Sequence, residues 1–356
     1  MRYARPVMTA ATLVAAAACH GGAARSPTAA PAPAAATRAA EPHLANIRQL
    51  THGGENAEAY FSTDGKRLIF QSTRDGRSCD QEYVMNADGS AQQRISDGTG
   101  KTTCGYFFAY NTKVFYSSTR AADTACPKKP DPSKGYVWGL DKYDIYTANA
   151  DGSETKRLTH NNVYTAEGTL SPDGKTIVFT SLKDGDLDIY TMNVDGTNVH
   201  RLTNTIGYDG GPFFSPDGKR IVYRAYHPTD STELAQYREL LSQSIVRPNK
   251  MEIWVMNADG SDQHQITHLG GANFAPFFTP DGKRIIFSSN YTNPHSGEFD
   301  LYLIDDDGGS LEPVTSAAGF DGFPQFSPDG RQLVWASSRN ATGEHQLDLF
   351  IADWKP

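Results

Sequence analysis

The chain has 356 residues, with 33 Lys plus Arg against 41 Asp plus Glu and a formal charge of −8. No dense basic run occurs, which disfavours nucleic acid and other polyanions as partners. The 17 Tyr, 17 Phe and 32 Gly, with four Cys, suit many short strands joined by tight turns, and this length is ordinary for one large all-β domain.

At the N-terminus, Arg2 and Arg5 precede an apolar stretch from Val7 to Ala18, the order of a secretory signal, so residues 1–18 are read as a signal peptide. A bilayer span needs about 20 apolar residues, more than this stretch supplies. Ala16-Ala17-Ala18-Cys19 resembles the lipobox of bacterial lipoproteins. That resemblance implies lipidation of Cys19, with membrane contact through the anchor alone. From His20 to Pro42 the chain is mostly Ala, Pro and Gly, so residues 19–45 read as attachment point and disordered tether.

From Asn46 onward a unit recurs: aromatic, Ser, Pro, Asp, Gly, Lys, then an apolar pair and an aromatic. Copies run Phe61 to Phe70, Leu170 to Phe179, Phe214 to Tyr223, Phe278 to Phe287 and Phe326 to Trp335. A degenerate copy, Phe107 to Tyr116, has Tyr110-Asn111 in place of Asp-Gly. Each is followed by an acidic-apolar-aromatic element (Asp144-Ile145-Tyr146, Asp188-Ile189-Tyr190, Glu252-Ile253-Trp254), an Asp-Gly turn, and an element such as Arg157-Leu158-Thr159 or Arg201-Leu202-Thr203. Pro-Asp-Gly and Asp-Gly set φ for tight turns between antiparallel strands, so each unit is a four-stranded meander. Stacking such sheets radially buries both faces, and about 51 residues per unit fits a propeller repeat. The reading is all-β: a six-bladed β-propeller over residues 46–356. The last unit lacks its closing strand, and Ile47-Arg48-Gln49-Leu50-Thr51 supplies it, so the N-terminal strand is expected to complete the last blade.

Two insertions, 119–142 and 225–250, fall on the top face, where loops between blades and between second and third strands gather. The second carries a helix signature: Asp230 as N-cap, Glu233 three residues on, then Leu234, Tyr237, Leu241 and Ile245 on one stripe, stopped at Pro248. The stripe either packs on its own blade or serves as a lid or docking helix. Tyr136 and Trp138 in the first insertion join Leu234, Tyr237 and Leu241 as candidate partner-binding residues.

Aligning the units on the turn Asp places Glu58, Cys104, Glu167, Gly211, Ala275 and Phe323 at one position. Asn56, Thr102, Thr165, Asp209, Asn273 and Asp321 stand two residues earlier. Glu58, Glu167, Asp209, Asn273 and Asp321 are thus candidate ligand-binding residues at the funnel mouth. They could hold calcium or a basic or sugar-like ligand; capping of strand starts is the alternative. No resident cofactor is expected. Cys79, Cys104 and Cys126 map to top-side loops of the first two blades; one pair can bond, Cys104 is placed between the others as the favoured partner, and the pairing stays open.

These repeats resemble those of the TolB-type propellers, a WD-like Pro-Asp repeat family, over nearly the whole chain after the tether. The resemblance implies the propeller fold and a habit of binding partners at the cell envelope; TolB's separate N-terminal α/β domain has no counterpart here. A monomeric, non-catalytic scaffold is expected, exported to the periplasm, outer membrane or cell surface, binding an envelope protein or a small ligand through its top loops. The alternative is a metal-assisted carbohydrate lyase or hydrolase using the funnel mouth. No Gly-x-Ser-x-Gly elbow and no His-Glu-x-x-His occurs.

Overall fold

A computed structural model describes residues 40–356; Cys19 and the signal segment lie outside the described residues. Six four-stranded antiparallel sheets form the blades of a propeller. Blade 1 comprises Glu55–Phe61, Arg67–Thr73, Gln81–Asn86 and Gln93–Arg94. The innermost strands of blades 2 to 6 are Thr102–Phe108, Thr165–Leu170, Tyr208–Phe214, Asn273–Phe278 and Asp321–Phe326.

The ring closes as the repeat count requires. Leu44–Gln49 pairs antiparallel with Asp348–Trp354, matching Leu44 to Trp354 and Gln49 to Phe350. This strand begins inside the stretch read as tether, and the contacts reach further back: Arg339 bonds the Glu41 carboxylate, and the His43 ring stacks on Trp354 at 5.0 Å.

The conserved words of the repeat explain the blade. In the Leu-Thr element the Thr hydroxyl clamps the acidic residue of the third strand: Thr159 Oγ1 donates to Asp144 Oδ1 at 2.9 Å and accepts from Ile145 N at 2.9 Å, and Thr51 does the same with Asp348 and Leu349 across the ring closure. The Arg before it completes the ion pair, Arg201 to Asp188 at 2.6 Å. The Thr and Asp side chains are buried and mutually satisfied, which is the condition for burying them. Between them run fully buried apolar strands such as Leu68-Ile69-Phe70 and Leu333-Val334-Trp335. Blades dock through the Asp-Gly turns. A Cβ on Gly152 would lie 2.2 Å from the Ile95 carbonyl oxygen of the preceding blade, and its φ is +88°, so glycine is required twice over.

Candidate functional site

Every innermost strand breaks register at the same place, between Ala57/Tyr60, Thr103/Tyr106, Ala166/Thr169, Gly210/Phe213, Phe274/Phe277 and Gly322/Gln325. The bulged residue has positive φ in all six blades: Glu58 52°, Cys104 56°, Glu167 59°, Gly211 59°, Ala275 51° and Phe323 57°. A bulge re-aims side chains at a sheet rim. Here it makes these six residues the lining of the central channel, the equivalence that the repeat alignment predicts.

The residues two places earlier behave differently, which corrects the expected ring of funnel ligands. Asp209, Asn273 and Asp321 are 0–1% exposed and are spent inside the blades. Asp209 Oδ1 lies 3.0 Å from His227 Nε2. Asp321 Oδ1 accepts from Trp335 Nε1 at 3.0 Å and pairs with Arg339. Asn273 donates to the Met251 carbonyl at 2.8 Å and accepts from Ser289 Oγ at 2.6 Å. They staple the first strand to the end of the second, the capping role. Among the described residues no three His, Cys, Asp or Glu side chains gather as a metal-binding group.

Glu58 and Glu167 do come together, in company the repeat does not announce. Arg224, from the second strand of blade 4, pairs with Glu167 and donates to Tyr208 Oη at 2.6 Å. Glu167 also accepts from Thr180 Oγ1 and the Gly211 amide, each at 2.8 Å. Burial pushes the Glu167 carboxyl up, but Arg224 and these hydrogen bonds outweigh it and hold the group below the usual carboxylate value. Glu58 has no such cation. Burial pushes it up to about 7, the Cys104 thiol opposing and Glu167 adding to the rise. Beside it Glu82 occupies a core position where other blades have Ile145, Ile189, Ile253, Leu301 or Leu349. Its Oε1 accepts from Gly105 N at 3.0 Å, and burial, reinforced by Glu58, drives its carboxyl well upward.

Aromatic rings close the channel below this cluster. Tyr60 of blade 1 meets Phe213 of the opposite blade with centroids 5.7 Å apart, and Tyr106 and Phe277 extend the plug at 5.5 and 5.2 Å. The axis is therefore a chamber with a floor.

Its roof is built from the two insertions. Trp138–Gly139 pairs antiparallel with Ile245–Val246, joining blade 2 to blade 4 over blade 3. Trp138 lies with Arg224 Cζ 5.1 Å from its ring and meets Tyr208 and Phe274 edge-on at 6.4 and 6.0 Å. Helix α1 spans Ser231–Ser242; Asp230, the expected N-cap, accepts from Thr232 N and Glu233 N, while Glu233 reaches back to Thr229 N, one residue before the cap. Tyr237 is buried, donating to the Gly207 carbonyl at 2.6 Å, while Leu234 and Leu241 are half-buried. The helix stops earlier than the stripe predicts. Ser244 takes φ +56°, and Ile245, expected on the helix, enters the two-stranded sheet where a β-branched residue fits. Tyr136 is 68% exposed and its hydroxyl accepts from Trp138 Nε1 at 3.0 Å.

The lid is also tied sideways. Cys79 bonds Cys126, linking the blade 1 loop to the first insertion, and Cys104 stays a buried thiol in the chamber wall. The expectation favouring Cys104 as partner is thus corrected: the bulge turns its side chain to the axis, beside Glu58. Sequence reading also missed Arg224 and Glu82. The signal was available as departures from the repeat, because the positions equivalent to Arg224 are Gln71, Ser117, Thr180, Ser288 and Ala336, all uncharged.

Comparison with known proteins agrees with this architecture. A family model described as the TolB beta propeller domain matches residues 137–244 and 241–348. The fold is similar to that of a putative TolB from Agrobacterium tumefaciens, at 21% identity and TM-score 0.58 over 85% of this chain and 91% of that one. A gluconolactonase from Xanthomonas campestris is 16% identical with TM-score 0.57, covering 88% and 91%. An oligogalacturonate lyase in complex with manganese is 17% identical with TM-score 0.52, covering 87% and 93%. At such identities these likenesses show the fold alone. No curated protein matches the sequence significantly. The family model spans more than half of the chain, and the chain belongs to the TolB β-propeller family.

Proposed function

We propose that this protein is a non-catalytic binding propeller of the bacterial cell envelope, exported and held at a membrane by a lipidated Cys19, that engages an envelope protein or a small ligand through its top face. The observation that carries the reading is the roof: two insertions from separate blades meet in one small sheet, and Trp138 seals the Glu167–Arg224 pair beneath it. Variable loops on a rigid scaffold are where recognition resides, and here they present exposed Tyr136 outward while guarding a polar chamber inward.

The test compares wild type with a Tyr136→Ala/Trp138→Ala variant, immobilised against solubilised envelope extract. Retention of a partner by wild type and its loss from the variant supports the reading; equal retention by both refutes a role for the roof. Thermal midpoints with calcium, manganese and chelator separate the enzymatic alternative, because a ligand that binds only the folded state raises stability. A metal-dependent rise abolished by Glu58→Gln/Glu167→Gln would favour a metal-assisted carbohydrate enzyme in the chamber.

A further inference from the structure

The turn face, opposite the roof, carries a second feature. In four junctions a Pro of one blade's Pro-Asp-Gly turn sits against the turn Gly of the next: Pro172 on Gly218, Pro216 on Gly282, Pro280 on Gly330 and Pro328 on Gly65, with a Cβ on each Gly meeting the Pro ring at 3.0–3.7 Å. Blade 2 breaks this ring on both sides. Its turn reads Ala109-Tyr110-Asn111, and Gly174 of blade 3 finds nothing within 4 Å. Blade 2 also has Phe108 where the other blades place a Ser or Thr that bonds the turn Asp, as Ser62 bonds Asp64 and Ser171 bonds Asp173.

The substitute turn is unusual. Ala109, Tyr110 and Asn111 all have positive φ, 48°, 55° and 65°. Left-handed backbone is unfavourable for an L-residue, and non-Gly residues adopt it singly as a rule. The conformation is held by Asn111, whose Oδ1 accepts from Thr63 N at 2.8 Å and Thr63 Oγ1 at 2.9 Å. Its consequence is that Tyr110 stands 96% exposed, the most exposed of the large apolar side chains among the described residues.

Beside it a groove of about 620 Å³ opens between blades 1 and 2, a volume ordinary for small-molecule sites. Its polar lining is Arg67, Asn86, Gln93, Asn111, Thr112, Asn149 and Asp151. Four of these are carboxamides, and the single cation and single anion cancel. Among the described residues no hydrogen bond engages the Gln93 side-chain amide or the Asn111 amide nitrogen. Asn86 and Asn149 use only their nitrogens, on Ser90 and Ser153. Planar groups with both donors and acceptors match the paired donor and acceptor of adjacent hydroxyls. Tyr110, next in sequence to the lining residue Asn111 and itself exposed to solvent, offers an apolar ring face with a polar edge, suited to the C–H face of a pyranose.

We propose that this groove is a binding site for a neutral oligosaccharide, with Tyr110 as stacking platform and Gln93, Asn111 and Asn149 as hydroxyl-reading groups. The site is independent of the roofed chamber, on the opposite face.

The experiment is saturation-transfer NMR and calorimetry on the full chain with cellotriose, maltotriose and the N-acetylglucosamine trimer, with trigalacturonate as the anionic counterpart. At least one neutral trisaccharide is expected to bind with Kd near 1 mM or tighter. Tyr110→Ala and Gln93→Ala should each weaken it about tenfold, the size of one lost stacking or paired contact. Tyr110→Phe should retain binding, and Trp138→Ala should leave it unchanged. Both Tyr110 and Gln93 are exposed, so an unchanged thermal midpoint verifies that the variants fold. The proposal is overturned if no neutral trisaccharide binds, if trigalacturonate binds more tightly than all of them, or if binding survives both Tyr110→Ala and Gln93→Ala.

Discussion

Replacing Arg224 with Met tests the chamber's electrostatics. The guanidinium is 9% exposed at its side chain and Glu167 is 14% exposed, so their ion pair is largely desolvated. Removing one partner of such a pair costs about 3–5 kcal/mol, because the remaining charge is left uncompensated. For a chain of this length that corresponds to a fall in thermal midpoint of roughly 4–7 °C. The pH dependence gives the cause. In the wild type Glu167 is held below its ordinary value, so its contribution is present above the unfolded pKa of 4.5 and is lost as pH falls through the lower folded value. Without Arg224 only the Thr180 and Gly211 hydrogen bonds oppose burial, the folded pKa is expected to rise above the unfolded one, and Arg224→Met should gain stability relative to wild type as pH falls from 8 to 5. Arg224→Met combined with Glu167→Gln should recover most of the loss at pH 8. The assay is urea unfolding followed by Trp fluorescence and far-UV circular dichroism across that pH range. A deficit below about 1 kcal/mol, or one that does not vary with pH, would refute the assignment of Arg224 as the counter-ion that lets Glu167 stay charged.

Glu58, raised to about 7, binds its proton more tightly in the folded state, so it makes stability fall as pH rises from 4.5 to 7. Asp300 and Asp188 add to that slope, so the measurement is the difference: Glu58→Gln should show a shallower decline than wild type and be more stable than it at pH 8. Cys79 and Cys126 are 47 residues apart in sequence; Cys79→Ala/Cys126→Ala should lose up to about 4 kcal/mol by the chain-entropy argument, read as a lower urea midpoint under oxidising conditions and no further loss on adding reductant. Deleting residues up to Gln49 uncovers the edge of Asp348–Trp354, and light scattering should show concentration-dependent self-association that the intact chain lacks.

The repeat was legible because its signals are local and redundant. Pro-Asp-Gly, Asp-Gly and Leu-Thr each fix a turn or a clamp within one unit, as Thr159 and Asp144 do 15 residues apart, and six copies vote together. Ring closure was legible for the same reason: a missing word at one end was present at the other. The alignment grouped six positions that share one bulge, yet gave no sign of its conformation, since positive φ at Glu58, Cys104 or Phe323 leaves no trace in residue type when the bulge comes from strand geometry. That omission led Asp209, Asn273 and Asp321 to be placed in the funnel: plain alternation puts residues two apart on one face, and a bulge between blade and channel breaks that parity.

What the sequence concealed is tertiary. Nothing local says that Trp138, inserted in blade 2, lands on Arg224 of blade 4, nor that Ile245 leaves its helix to pair with Gly139. Yet each of these sites is marked by a place where a blade departs from its own repeat: Arg224 for a small polar residue, Glu82 for an aliphatic one, Tyr110-Asn111 for Asp-Gly. Each departure carries a cost that the consensus avoids, a desolvated charge in the first, a buried carboxyl in the second and left-handed backbone in the third. In a fold whose stability is repeated six times over, one blade can carry such a cost without opening the ring, and the two proposed sites follow from where it is carried. The chamber requires the buried charges of blades 1, 3 and 4, and the groove requires the aberrant turn of blade 2. Restoring Ala109-Tyr110-Asn111 to Pro-Asp-Gly should accordingly raise the thermal midpoint while removing Tyr110 and the Asn111 carboxamide from the groove, and a restored turn that lowers the midpoint would show that the departure serves folding instead of recognition.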